Sequence, residues 1–322
     1  MKKFSSLLLA LALLFTTLLV PAMAEEQTIR LGELTWLNSD DAARMAYMEN
    51  LVQYLTTEKD PEEEEKVTHY AVTEYDTLNS MLMGLTSGQI DEMMIYFTVG
   101  AYLCANNDAI ELELTSPDYS PDASLMLISA LTDIYKGTDF SFLMTESNEA
   151  LRDAFNEAIQ SMEEDGKLYD LIAEQITTAV AGEEIEPVII DKIDGAETIK
   201  VAVTGDLPPM DYIAADGTPA GFNTAVLAEI SRRIGKNIEL VSIDSGARAT
   251  ALASGSVDVV FWARVNTPRE SFSSSLTEQE LSFLNSVKVM FDQYRNTAGD
   301  IPEGTIYTVP YYHDIFVNVV RK

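Results

Sequence analysis

Apolar residues recur along this chain in two rhythms, short β-branched runs and longer stripes at three- and four-residue spacing. Thr198 to Thr204 is rich in β-branched residues and predicts a strand. Phe222, Val226, Leu227, Ile230 and Ile234 then fall on one helical face, with Asn223 or Thr224 as the expected N-cap and Gly235 as a left-handed stop. Ile238 to Ile243 reads as the next strand. The first half follows the same order, with a strand at Ile29 to Leu34, a helical stripe of Met45, Met48, Val52 and Leu55, and a strand at Val67 to Tyr75. Glu149 to Gln175 is a longer amphipathic helix with Leu151, Phe155, Ile159 and Met162 on one face and a break at Asp165-Gly166. Alternation of this kind predicts an α/β class.

The clearest internal echo sets Leu85-Thr86-Ser87-Gly88-Gln89-Ile90-Asp91 against Leu252-Ala253-Ser254-Gly255-Ser256-Val257-Asp258. In both, a helix is expected to end on a glycine free to take positive φ, and an apolar residue plus Asp leads into a buried strand. Two similar lobes are the expectation. Asp91 and Asp258 are read as fixing the turn, and Met81, Met83, Met93 and Met94 as packing the lobe interior. Pro61 and the run Glu62 to Glu65 read as a solvated loop, because adjacent like charges repel.

Lys2 and Lys3 precede the apolar run Leu7 to Val20, and Pro21-Ala22-Met23-Ala24 follows, which is the order of a secretory leader. The run is short for a bilayer span of roughly 20 residues. The expected organisation is a signal peptide over 1–24, one α/β half over 25–178, a linker over 179–197 rich in Glu, Ala and Ile, and a second half over 198–322. Export to the periplasm, cell surface or medium follows.

Composition narrows the chemistry. The 322 residues carry 52 acidic against 21 basic side chains, a formal charge of −31, while 47% are hydrophobic. That hydrophobic share supports buried cores, and the charge opposes nucleic acid, whose phosphates require clustered Lys and Arg. Cys104 stands alone and only His69 and His313 accompany it, so an internal disulfide is excluded and a Cys/His zinc site is not expected. The chain lacks a Gly-x-Ser-x-Gly elbow, a His-Glu-x-x-His pair and a phosphate-cradling glycine loop. No enzyme activity, cofactor or metal is expected.

Several motifs in the second half come in a recognisable order. They are Ile199 to Tyr212 with its Gly205-Asp206-Leu207-Pro208-Pro209 core, Asp216-Gly217, Gly221-Phe222-Asn223, Leu252 to Phe261, and Pro310-Tyr311-Tyr312. Together they resemble the extracellular solute-binding proteins of ABC transporters, family 3, the amino-acid type. The first half is similar to that family's second lobe followed by its closing helix, which in the family stands at the C-terminus. The resemblance therefore implies a two-lobed periplasmic-binding-protein-like fold of type II, circularly permuted. Phe316 to Lys322 would be the hinge strand and Ile29 to Gly32 the opening strand of lobe two. A tandem pair of truncated modules is the rival arrangement.

The resemblance also implies a function, a monomeric receptor that closes on a small polar solute and hands it to a membrane permease. Ligands of open α/β sheets sit beyond the carboxyl ends of strands. The loops there would bring Thr35, Trp36, Asn38, Tyr96, Asp211, Tyr212, Trp262, Arg264 and Arg269 toward one crevice. The family's amino-acid binders hold the α-carboxylate with a Thr and an Arg, and the ammonium with an Asp. Here the Thr position holds Val265, the Arg position holds Glu270 beside Arg269, and Tyr96 replaces the Asp. An ordinary α-amino acid is not the expected ligand. The aromatic residues with Asp211 suit a cationic or ring-bearing solute through face contacts and a counter-charge. Each aromatic has core packing as its plainer reading, and Asp211 has a turn-capping one. Alternative functions are a ligand-free sensor or interaction module and, by fold analogy, a dehydratase-like enzyme.

Overall fold

The computed structural model describes residues 27–35, 68–113, 137–214, 216–265, 277–278, 282 and 303–322. The leader, the stripe at 45–55 and the acidic run at 62–65 lie outside the described residues.

β1 (Gln27–Leu34), β2 (Thr68–Tyr75) and β3 (Glu92–Tyr96) form a parallel sheet in the order β2-β1-β3. α1 (Leu78–Ser87) links β2 to β3, and α2 (Phe97–Asn106) leads from β3 to β4 (Ile110–Glu113). This body is lobe two. β5 (Gly137–Thr145) runs into α3 (Glu149–Glu164), α4 (Lys167–Leu171), a π-helical stretch at Ile172–Thr177 and α5 (Thr178–Val180). After an extended passage come β6 (Thr198–Val203), the small strands β7 (Asp206–Leu207), β8 (Asp211–Ile213) and β9 (Pro219–Ala220), and α6 (Phe222–Ile234). β10 (Asn237–Ser242), α7 (Arg248–Ala253), β11 (Val259–Val265), β12 (Thr305–Tyr307) and β13 (Tyr312–Arg321) complete the order. The body of β5, β6, β10 and β11 is lobe one.

Both lobes repeat one arrangement. In lobe two the parallel set β2-β1-β3 is followed by β13 antiparallel, and in lobe one the parallel set β10-β6-β11 is followed by β5 antiparallel. β13 joins them: Tyr312 to Ile315 pair with β5, and Phe316 to Val320 pair with β3. One sheet path therefore runs through both lobes, and the two halves of the sequence are not separate modules.

Residues 137–180 precede the linker in sequence yet lie on lobe one. Phe142 stacks on Tyr311 at 4.5 Å between ring centroids and meets Phe155 of α3 edge-on at 5.3 Å. Arg233 of α6 donates to Asp165 at 2.7 Å and to Ser161 at 2.5 Å at the end of α3. The extended passage is pinned where Ile193 donates its N–H to Asn237 Oδ1 at 2.8 Å, at the start of β10.

Two expectations need correction. Gly221 is the N-cap of α6, not Asn223 or Thr224, because the chain enters the helix at φ 100°. Any Cβ at Gly221 would lie 2.6 Å from the Pro209 carbonyl oxygen, so the helix start is set by backbone packed on backbone. Thr224 instead turns its hydroxyl back to Ala220 O at 3.1 Å. Met81, Met93 and Met94 are buried in the core, but Met83 is 69% exposed on the outer face of α1.

Candidate functional site

Parallel strands place the end of each strand and the start of the following helix on the same sheet edge. The ends of β1 and β3 and the start of α1 therefore share one edge of lobe two, and the ends of β6 and β11 and the starts of α6 and α7 share one edge of lobe one; the three antiparallel pairings β3-β13-β5-β11 make the two sets run in opposite directions. Contacts cross between the lobes. Asp206, just beyond β6, accepts the N–H of Leu78 at 3.3 Å, on the first turn of α1. Thr77 caps the same turn by accepting from the N–H of Ser80 at 3.2 Å, so two side chains from two lobes serve one helix start. Burial pushes the Asp206 carboxyl up, opposed by the Leu78 N–H. A Cβ on Gly246 would stand 3.5 Å from Thr35 Cγ2, which brings the loop before α7 against the end of β1.

Thr35 lies on this boundary and donates its hydroxyl to Asp76 at 3.2 Å. Tyr212, on β8, is half-buried, and burial raises its hydroxyl with a smaller push from Tyr102 of lobe two. Asp211 is turned inward: its Oδ2 accepts from the Gly205 N–H at 2.6 Å and the Thr204 hydroxyl at 3.1 Å. Burial holds this carboxyl up at about 6 despite both bonds. Tyr96 is fully buried, edge-on to Phe140 at 4.7 Å and tilted on Phe316 at 5.1 Å. Trp262 and Arg264 belong to β11, where Arg264 is in register with Phe140. Trp36, Asn38 and Arg269 lie outside the described residues.

Sequence reasoning missed two charged residues of this region. Asp206 sat inside a quoted motif, and nothing local marked it as facing another lobe. Arg248 is 3% exposed, although it opens a helix of small residues. Its guanidinium donates to the Phe261 carbonyl at 3.3 Å and stands 5.9 Å from that ring's centroid. Burial lowers its pKa, opposed by Tyr96 of lobe two and by Asp211, Tyr311 and Asp206 of lobe one. A lone cation within Gly246-Ala247-Arg248-Ala249 was the one available signal.

The passage between lobes has its own polar tie. Asp314 on β13 is buried and accepts the Thr98 N–H at 3.1 Å, at the start of α2. The Thr98 and Tyr312 hydroxyls meet at 2.7 Å. Burial raises the Asp314 carboxyl to about 6. Beside it, His313 Nδ1 and Asp139 Oδ1 are 2.9 Å apart across β5 and β13. Among the described residues no group of acidic, His and Cys side chains is arranged to hold a metal, and no helix is long and apolar enough to cross a membrane.

Residues 199–278, about a quarter of the chain, match the model of bacterial extracellular solute-binding proteins, family 3. No curated protein matches the chain by sequence. Among solved structures, the ligand-binding component of an ABC-type import system from Staphylococcus aureus with zinc bound is similar at 7% identity and TM-score 0.40, over 92% of this chain and 66% of that one. The aliphatic sulphonate binding protein SsuA from Escherichia coli is similar at 11% identity and TM-score 0.33, over 92% and 65%. The GluR0 ligand-binding core in complex with L-glutamate is similar at 8% identity and TM-score 0.34, over 94% and 86%. The chain thus spans about two thirds of the length of the first two.

Proposed function

We propose, taking the family 3 solute-binding segment at 199–278 as the premise, that the chain is an extracytoplasmic receptor. It closes on a small polar solute and delivers it to the membrane permease of an ABC importer. The observation that carries this reading is the Asp206 bond to Leu78 across the facing strand ends, in a molecule whose lobes are joined through β13. Lobes linked by such a strand can hinge, and a crevice at their meeting edge changes its exposure when they do. Closure strips water from both walls, so each polar group there must be matched by the other lobe or by the solute.

The reading treats the chain as circularly permuted. Its support is that β5 and α3 precede the linker yet complete lobe one, while β13 follows lobe one yet completes lobe two. It needs no cofactor and no bond-making step, and it acts as a monomer after removal of residues 1–24. Thr35, Asp206, Tyr212 and Arg248 are the described residues assigned to the crevice; Trp36, Asn38, Trp262, Arg264 and Arg269 are proposed to join them.

A broad metabolite panel read by thermal unfolding tests the reading, because a solute bound only by the folded state raises the midpoint with concentration. A hit is expected to shrink the radius of gyration in solution scattering. A panel with no stabilising solute, together with scattering that never changes, would overturn it. Turnover of the stabilising solute would replace it with the dehydratase-like alternative.

A further inference from the structure

β13 changes partner lobe within a single step. Ile315 is its last residue in register with β5 of lobe one, opposite Gly137, and Phe316 is its first in register with β3 of lobe two, opposite Tyr96. Asp314, just before that step, is paired through its backbone with Thr138 of lobe one. Its side chain reaches the other way. Oδ2 accepts the Thr98 N–H of α2, in lobe two, at 3.1 Å, while Oδ1 accepts the Ile315 N–H at 2.8 Å. Tyr312 meets the Thr98 hydroxyl from the same stretch of β13. Asp206 repeats the arrangement at α1 through the Leu78 N–H. In both places a carboxylate held by lobe one serves the first turn of a lobe-two helix.

Rotation of the lobes at the Ile315–Phe316 step turns the Thr98 N–H away from Asp314, and hydrogen bonds weaken steeply as they bend. Water replaces the lost donor, so the open form solvates a carboxyl that the closed form buries. Among the described residues, the titratable groups around it are Tyr312 and His313 on its own strand and Asp139 of β5, which meets His313 at 2.9 Å. The first turn of α2 carries no charge, β3 has only Glu92 at its start, and α6 touches Tyr312 through Phe222 with its charges beginning at Glu229. His313 favours the carboxylate, but burial opposes it and prevails, holding the carboxyl at about 6. A solvated Asp titrates near 3.9. The closed form therefore binds the proton more tightly, and closure gains as pH falls from about 6 to about 4. Burial raises Asp206 as well, which acts in the same direction.

We infer, resting on the hinged-receptor reading, that Asp314 is a proton-sensitive latch on the hinge: the lobes close with uptake of a proton at this carboxyl, so mild acid favours the closed, solute-holding form and higher pH the open one. A protonated carboxyl keeps a carbonyl oxygen for the Thr98 N–H, so the latch survives the loss of charge.

The test uses the full chain without its leader and without added solute. Its radius of gyration is measured by solution scattering between about pH 7.5 and about pH 5, at constant ionic strength set by sodium chloride. The parent radius is expected to fall as pH falls. Asp314→Asn, a neutral isostere, is expected to hold a smaller radius at the upper end and to lose at least about half of the change, the remainder belonging to Asp206. His313→Gln removes a neighbour that favours the carboxylate, so its transition is expected at higher pH; it carries the test if Asp314→Asn does not fold. A parent radius that ignores pH, or a change of the same size and midpoint in the folded variants, overturns the inference. The receptor reading then still stands if a solute of the metabolite panel shrinks the radius. Where neither pH nor any solute changes it, both fall.

Discussion

The Asp206 carboxylate accepts the Leu78 N–H at 3.3 Å, so a residue of lobe one helps to cap a helix of lobe two. The bond exists only while the two edges meet. Its loss in Asp206→Ala should shift the balance between closed and open forms by about 1 kcal/mol, or about fivefold. The expected result is a larger radius of gyration than the parent in solution scattering, with unchanged secondary structure by circular dichroism. An unchanged radius would mean that the contact does not influence closure.

Asp211 and Asp314 are both raised to about 6 by burial, which gives the fold a defined pH response. Each binds its proton more tightly folded than unfolded, where an Asp titrates near 3.9. Their contribution to stability therefore declines as pH rises from about 4 to about 6 and stays reduced above that window. Asp91 acts in the opposite sense: its side-chain bond with Arg30 lowers it to about 2, so its contribution holds at neutral pH and is lost only below about 4. The unfolding midpoint should rise as pH falls from about 6 to about 4. Asp314→Asn should lessen that rise, and a rise of equal size in the variant would count against Asp314 as its source.

Local patterns in the sequence were enough to place strands and helices but not the groups that meet between the lobes. The paired Gly88 and Gly255 stops, the strands that follow them and the break at Asp165-Gly166 depend on neighbours within a few residues. The strand at Phe316 to Lys322 was anticipated only through the family resemblance, and β13 begins earlier, at Tyr312. Met83 was misplaced because a methionine beside a helical stripe is apolar whichever face it occupies. Asn223 was misread as a cap because its role depends on Tyr311, far along the chain. Asp206 and Arg248 acquire their settings from the approach of α1 and Tyr96 of the other lobe, and no local spacing encodes that approach.

Two glycines with positive φ should respond very differently to alanine. Gly255 has φ 69° and open space where a Cβ would stand, so Gly255→Ala meets backbone strain of about 1–2 kcal/mol. Gly221, at φ 100°, would in addition press a Cβ against the Pro209 and Met210 carbonyls at 2.6 and 2.7 Å. Gly221→Ala should therefore cost about 3 kcal/mol or more, since backbone on both sides must move. Urea denaturation of the two variants checks the order, and equal midpoints would contradict it.

Asp91 and Asp258 occupy equivalent turns, and the equivalence extends to their hydrogen bonds. Asp91 Oδ2 accepts the Arg30 N–H at 3.0 Å and the Asp91 N–H reaches Arg30 O at 2.7 Å. Asp258 Oδ2 accepts the Lys200 N–H at 2.8 Å and the Asp258 N–H reaches Lys200 O at 2.9 Å. Each carboxylate thus locks its turn to the first strand of its own lobe, one residue before that strand pairs with the next. Removing either should cost about 1 kcal/mol, the net value of one such bond. Asp91 has a further partner, because the Arg30 side chain donates to it through Nε at 2.9 Å. That ion pair is partly exposed, so solvent screens most of its contribution. Asp91→Ala should therefore destabilise somewhat more than Asp258→Ala at low salt. Added salt should narrow the gap, since it screens the guanidinium contact and leaves the two backbone bonds nearly unchanged. Unfolding midpoints of both variants at low and high sodium chloride decide the matter: a gap that does not shrink would assign the extra stability to packing instead of charge.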